Sequence, residues 1–272
     1  MRTALGIIRL IRPHNVAAAV LSTVVGFTMA GRGSGPWTLV WAVALCTAAG
    51  NTINDWYDID IDRFNKPGRP LPSGAVSMRG ARVLYIVLLA ALALLVVRLP
   101  APQAVWLVAW VLSLHCYSAC LKRVYLAGNL LVSAVAASGF LLGAYAGGVI
   151  MAGAVPAGFT FVFVLGRELV KDCEDEPGDR LSGARTVPVV SGKRAALNAA
   201  VAVFAVLAIG FPLPGLLGFY RQGYTVIMFA SVVPLIVASA ILTARGRALA
   251  LVSLLLKAGM FFGVAAFYFG AS

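Results

Sequence analysis

Apolar runs of about twenty residues, separated by short polar connectors, recur along the whole chain. They cover approximately Pro13–Ala30, Trp37–Asp55, Gly80–Leu99, Ala104–Leu121, Gly128–Ile150, Gly153–Val170, Ala195–Leu213, Tyr224–Thr243 and Leu249–Phe269. A helix of that length crosses the hydrocarbon core of a bilayer. Backbone groups in lipid must also bond within their own segment, which leaves helices as the expected solution. The expected fold class is all-α, a polytopic membrane protein with nine transmembrane helices. Composition agrees: 12% of the 272 residues are charged and 61% are hydrophobic, against about 25% charged in a soluble domain. The seventh run is the weakest, because Pro212 and Pro214 interrupt its end. Connectors as short as Pro100–Gln103 place consecutive helices antiparallel.

The 22 basic residues fix an expected orientation. Seventeen fall in connectors on one side, three (Arg32, Arg98 and Arg221) fall on the other, and Arg167 and Lys257 lie inside runs. By the positive-inside rule the N-terminus is cytoplasmic and the C-terminus outside, in a multi-pass protein of the cell (plasma) membrane. The net charge of +12 is accounted for in the same way; no soluble module presents it, so no nucleic-acid partner is expected. No cleavable signal peptide is expected, and no obligate protein partner is inferred. The four cysteines form no C-x-x-C pair and read as small apolar residues.

All ten acidic residues lie in two windows, Asp55–Asp62 and Glu168–Asp179. Both windows carry the pattern D-x-x-D-x-x-x-D, as Asp55, Asp58, Asp62 and again 117 residues later as Asp172, Asp175, Asp179. Each closes a run on the expected cytoplasmic side and is followed by similar punctuation, Arg69-Pro-Leu-Pro-Ser-Gly74 and Arg185-Thr-Val-Pro-Val-Val-Ser-Gly192. The repetition reads as two pseudo-repeat halves, approximately 1–125 and 126–245, plus a ninth helix, within one domain spanning 1–272.

Positions i, i+3 and i+7 share one face of a helix. Asp55, Asp58 and Asp62 therefore converge if the second helix continues past the membrane boundary, and Asn54 can join them. Asp60 points away. In the second window Pro177 and Gly178 are expected to end the helix, leaving Asp179 to a turn. Two carboxylates about 4 Å apart repel by ~4 kcal/mol at an effective dielectric near 20, so six need counter-cations. No Cys/His set suits zinc, whereas Mg2+ takes one or two carboxylates, keeps waters and completes its shell with phosphate oxygens. A diphosphate is then the expected target. Bordering Lys and Arg residues are candidates to bind it directly.

At these residues a family resemblance appears. Asn54-Asp-Trp-Tyr-Asp-Ile-Asp-Ile-Asp62 resembles the N-D-x-x-D-x-x-x-D signature of the UbiA-type intramembrane prenyltransferases, and Arg63-Phe-Asn-Lys-Pro-Gly-Arg-Pro-Leu-Pro-Ser-Gly74 resembles its continuation. The second window, Gly166–Asp179, is most similar to the digeranylgeranylglyceryl phosphate synthase branch. Arg12-Pro-His-Asn15, Tyr117–Arg123 and Gly128-Asn129 agree with it. The resemblance implies a ring of nine helices around a central chamber, with a cytoplasmic polar cap. It implies a Mg2+-dependent transfer of a geranylgeranyl group from geranylgeranyl diphosphate to the hydroxyl of geranylgeranylglyceryl phosphate, within a membrane lipid environment. Asn54, Asp58 and Asp62, supported by Asp55, would form one metal–diphosphate site. Asp175 and Asp179, supported by Asp172, would form the other. Asp58, Asp62, Asp175 and Asp179 are the expected catalytic residues. Arg63, Lys66, Lys122 and Tyr117 would meet the polyprenyl diphosphate donor, Asn15 and Arg12 would line the same cavity, and Arg167 and Lys171 would serve the phosphate of a lipid-like acceptor.

Other classes remain open from the residues. An aromatic prenyltransferase would use the same metals with another acceptor, and a terpene cyclase would use none. A cation carrier would place acids in mid-membrane, where this chain has almost no ionisable groups. His14 and His115 have no partner at triad or metal spacing and read as lining or packing residues. Lys257 reads as snorkelling, and the glycines near Gly143–Gly148 as helix-packing surfaces.

Overall fold

A computed structural model describes residues 2–31 and 35–271. Arg32, one of the three basic residues assigned to the outer side, lies outside the described residues. No strand occurs among the described residues.

The chain opens with α1 (Arg2–Ile11), which no apolar run announces, and α2 (Pro13–Met29). Between them Arg12 adopts a left-handed backbone, φ 51°. Pro13 disfavours the right-handed helical region for the residue before it, so the corner falls there. Next come α3 (Trp37–Tyr57), α4 (Ile59–Asn65), α5 (Met78–Val96) and α6 (Ala101–Ala119). Then α7 (Ala127–Ala146) and the 28-residue α8 (Ala154–Leu181) cross the middle of the chain. After α9 (Val187–Ser191), α10 (Lys193–Gly210) runs to the proline pair and α11 (Leu213–Leu216) follows it. The last elements are α12 (Gln222–Ile227), α13 (Val233–Ala244) and α14 (Leu249–Ala271).

Among the described residues seven helices are long and apolar enough to cross a membrane. They match seven of the nine expected runs. The other two runs form α3 and α6, of 21 and 19 residues. Their apolar character is diluted by Thr47, Asn51 and Asn54 in α3, and by Gln103, Ser113 and His115 in α6. The eighth run is one continuous helical span, Gln222–Ala244, with an irregular turn inside it. A π-helical turn at Met228–Val232 joins α12 to α13, just before Pro234. A proline has no N–H to give the preceding turn, and a π turn is one way to absorb the loss.

Large apolar side chains face outward along these helices, among them Leu94, Val97, Val105, Leu112 and Ile209. In water such a surface would aggregate; in a bilayer it is solvated. Helix association in lipid depends on close packing, and α2 against α7 shows how it is reached. A Cβ on Gly143 would lie 1.9 Å from the Thr23 carbonyl oxygen, and one on Gly26 would lie 2.1 Å from that of Phe140. Two large apolar cores result, beside a small one at Leu10, Leu71, Val76 and Ala81. One joins α7, α8, α10, α13 and α14 around Phe140, Phe163, Phe204 and Phe267. The other joins α3, α5, α6 and α7 around Val43, Leu107 and Trp110.

Candidate active site

The polar ends of α1, α3, α4 and α8 meet at one end of the bundle. The first acidic window does continue past the end of its long helix, with a kink. Asp58 terminates α3 and starts α4 (φ −87°, ψ −1°), yet the hydrogen-bond ladder runs through it: Asp58 N–H to Asn54 C=O at 3.0 Å, and Asp62 N–H to Asp58 C=O at 2.8 Å. The second window corrects the sequence expectation. The helix does not end at Pro177; α8 runs four residues further, so Asp179 is helical like Asp172 and Asp175. Asn65 of α4 packs here. Its Nδ2 donates to the Asp175 carbonyl at 3.0 Å, and a Cβ on Gly178 would lie 2.4 Å from that nitrogen. The glycine lets α4 seat against α8, and the buttress holds the turn that proline alone would loosen.

Asp55, Asp58, Asp62, Glu168 and Asp179 are all 5% exposed or less. The protein's own cations neutralise much of this charge. Arg12 bonds Asp55 and also reaches Asn54 Oδ1 at 3.3 Å. Arg69 reaches Asp62 at 2.5 Å and Asp55 at 3.4 Å. Lys122 pairs with Asp58. Lys66 grips both oxygens of Asp175 at 2.5 and 2.7 Å, which ties the two windows together. Glu168 takes Arg167 at 2.6 Å and Lys171 at 3.1 Å, and Asn129 donates to Asp172 at 2.8 Å. Burial opposes ionisation of Asp58, but Lys122, with Lys171 and Arg69, outweighs it and holds the carboxyl below its usual range. Asp62 goes the other way. Burial, with Asp58 and Asp55 nearby, pushes it up in spite of Arg69. Burial lowers Lys66 against the pull of Asp175.

Tyr117 is buried within electrostatic range of Lys171, Glu168, Asp58 and Asp172. Asn15 donates to Asn51 Oδ1 at 3.2 Å. Arg63 stands apart: it is 65% exposed and pairs with Asp60, which is 85% exposed, on the outer face of α4. Arg69, one of the bordering basic residues, belongs to the cluster, and so do Asn51, Asn65, Asn129 and Glu168, to which the sequence alone assigns no role. Asn129 and Arg69 lie inside motifs already noted, Gly128-Asn129 and the Arg69–Gly74 loop. Asn51 and Asn65 carry no signal beyond being amides in otherwise apolar or acidic surroundings.

No three His, Cys, Asp or Glu side chains among the described residues could hold a metal ion by themselves. The donors nevertheless suit Mg2+, which needs only one or two carboxylates when phosphate oxygens complete its shell. They are all oxygen; Asn54 Nδ2, an N–H donor, is buried with no hydrogen-bond partner among the described residues and suits an anion's oxygen rather than the cation. Beside the cluster opens an apolar cavity of about 200 Å³, lined by Ala18, Val132, Phe140, Phe163 and Phe267, with Asn15, Asn51, Arg167 and Glu168 at its polar end.

A membrane-spanning helical bundle with paired aspartate motifs, basic side chains between them and an apolar chamber alongside defines an enzyme that handles a lipid-tailed anion. The chain belongs to the UbiA prenyltransferase family, whose model matches residues 19–269. It is 42% identical over 246 residues to a digeranylgeranylglyceryl phosphate synthase of Halobacterium salinarum, covering 88% of each chain. A solved structure of a digeranylgeranylglyceryl phosphate synthase superposes with a TM-score of 0.72 at 29% identity, covering 100% of this chain and 99% of the other. A UbiA homologue from Archaeoglobus fulgidus, bound to GPP and Mg2+, shares the fold with a TM-score of 0.60 at 20% identity, covering 96% and 99%.

Proposed function

We propose that the chain transfers a geranylgeranyl group from geranylgeranyl diphosphate to the hydroxyl of geranylgeranylglyceryl phosphate, a step of ether-lipid synthesis. The observation that carries this reading is the junction of the two acidic windows, through Lys66 and Asp175, beside an apolar cavity. The named relatives supply the acceptor.

Asn54, Asp58 and Asp62, with Asp55 behind them, would hold one Mg2+. Asp175 and Asp179, with Asp172 behind them, would hold the other. The ions supply positive charge to a departing diphosphate when bound. The chain's own residues do the rest. Lys66, Arg69 and Lys122 exchange their carboxylate partners for diphosphate oxygens and stabilise the leaving group. The apolar cavity holds the isoprenyl tail, and the surrounding helices exclude water from the allylic carbon as its C–O bond loosens. The acceptor hydroxyl oxygen forms the new C–O bond as the allylic carbon–diphosphate bond breaks, and its proton passes to the departing diphosphate. The site faces the cytoplasm, as the basic connectors direct, and α3 and α6 join the seven apolar helices as membrane spans, making nine.

Purified protein with Mg2+ and labelled geranylgeranyl diphosphate tests the reading. Label should move to geranylgeranylglyceryl phosphate. Transfer to 4-hydroxybenzoate or homogentisate instead, or hydrocarbon formed with no acceptor, would overturn it.

A further inference from the structure

Aromatic rings close the end of the apolar cavity that lies away from the acids. Phe159 of α8, Phe211 at the end of α10 and Phe267 of α14 all line the cavity. The Phe159 ring lies 4.9 Å from that of Phe211 and 6.3 Å from that of Phe267, centroid to centroid. A second tier stands behind them. Tyr220 and Tyr224 stack at 4.7 Å, and Phe267 meets them at 5.5 and 5.2 Å. Ring pairs of this kind add to what burial alone contributes, so the helices share one firm closure.

The proline pair that breaks the seventh apolar run builds this closure. Pro212 stops α10, and a helix end leaves its last carbonyls without partners in the helix. The fully buried Tyr224 donates its hydroxyl to the Phe211 carbonyl at 2.7 Å. Phe211 is thereby fixed with its ring against Phe159. Gly210 leaves the room, because a Cβ there would lie 3.3 Å from the Phe159 ring.

The floor stands at a definite depth. Asp172 lies 13 residues beyond Phe159 on α8, about 20 Å along the helix axis. An extended isoprene unit advances its chain by four carbons, about 5 Å from ordinary C–C bond lengths. Four units therefore fill the distance from the acids to the rings. A fifth would have to enter the aromatic tier, which is too closely packed to give way without cost.

We propose that Phe159, Phe211 and Phe267 set the length of the isoprenyl tail that the donor carries, admitting four units and refusing five. The assignment deepens the transfer reading above and rests on it. Gly263 offers an independent handle. It lines the cavity one turn before Phe267, on the side of α14 nearer the acids, where Ser253 bonds Glu174 at 2.8 Å. A Cβ on Gly263 would meet nothing within 4 Å, so a side chain there enters open cavity. One helical turn is about 5.4 Å, close to one isoprene unit.

The test offers farnesyl, geranylgeranyl and geranylfarnesyl diphosphates, of three, four and five units, to the full-length protein in lipid nanodiscs with Mg2+ and geranylgeranylglyceryl phosphate. The unmodified protein should prefer four units to five by about tenfold or more in kcat/KM. Phe159→Ala should cut that preference by about tenfold, chiefly through the KM of the five-unit donor. Gly263→Leu should raise the floor by one turn and move the preference to three units. Equal use of four and five units by the unmodified protein, or a preference that neither substitution moves, overturns the floor. If Phe159→Ala fails to fold, Gly263→Leu decides alone. Absence of transfer from all three donors by the unmodified protein would sink the transfer reading itself; transfer whose length preference ignores both substitutions sinks only the floor.

Discussion

Asp58 and Asp175 are each bound by one lysine and sit on different helices, so each reports on its own half of the site. Asp58→Asn and Asp175→Asn keep the shape and remove the charge. Each is expected to lower kcat by about 10²-fold or more, read by product formation at saturating donor. Both proteins should remain folded in detergent. Wild-type turnover in either would contradict the two-metal assignment. Asn51 makes a different kind of prediction. Its Nδ2 donates to the Ile11 carbonyl at 2.8 Å, and its Oδ1 accepts from Asn15, so it fastens the corner that aims Arg12 at Asp55. Arg12 holds a left-handed backbone there, a strain of order 1–3 kcal/mol that neighbouring contacts must offset. Asn51→Leu leaves the Ile11 carbonyl without its partner and should cost about 1–3 kcal/mol of stability, seen as a lower Tm. The sequence shows Asn51 only as an amide in an apolar run, because its partners lie 40 and 36 residues away.

At the scale of elements, hydrophobic runs were easy to read and their interruptions were not. The run that gives α7 appears within a few residues of its expected place. Pro177, by contrast, invited a helix end that does not occur. The reason is tertiary: α4 reaches across and Asn65 bonds the carbonyl of Asp175, a contact between residues 110 apart. Local propensity cannot weigh such a partner. Asn65→Leu should therefore loosen α4 from α8, misplace Lys66 relative to Asp175 and lower kcat/KM by about 10-fold to 10²-fold, with little change in helix content by circular dichroism. The packing of α2 on α7 has a blunter test. Gly143→Val puts methyl carbons where the Thr23 carbonyl already stands. The helices must separate, at a cost of about 1–3 kcal/mol or more, measured by thermal unfolding in detergent.

For the molecule as a whole, the acidic windows announced the site because a membrane protein seldom keeps carboxylates without a task. Their meeting point was legible from spacing and orientation alone. Their partners were not, since Lys66, Arg69 and Lys122 belong to basic connectors that also set topology. Chelation offers the global check. EDTA should stop turnover and added Mg2+ restore it; a rate indifferent to chelator would remove the metal from the mechanism. The cations already seated on the aspartates carry one more consequence. A divalent ion arriving alone finds every strong seat of the first window taken, so Mn2+ used as a paramagnetic reporter should associate weakly with the empty enzyme. The pyrophosphate head supplies what the lysines and arginines need in order to let go. Metal and donor should therefore load as a cooperative pair, each raising the other's affinity, and the enzyme at rest would stay indifferent to swings in free magnesium until its lipid arrives.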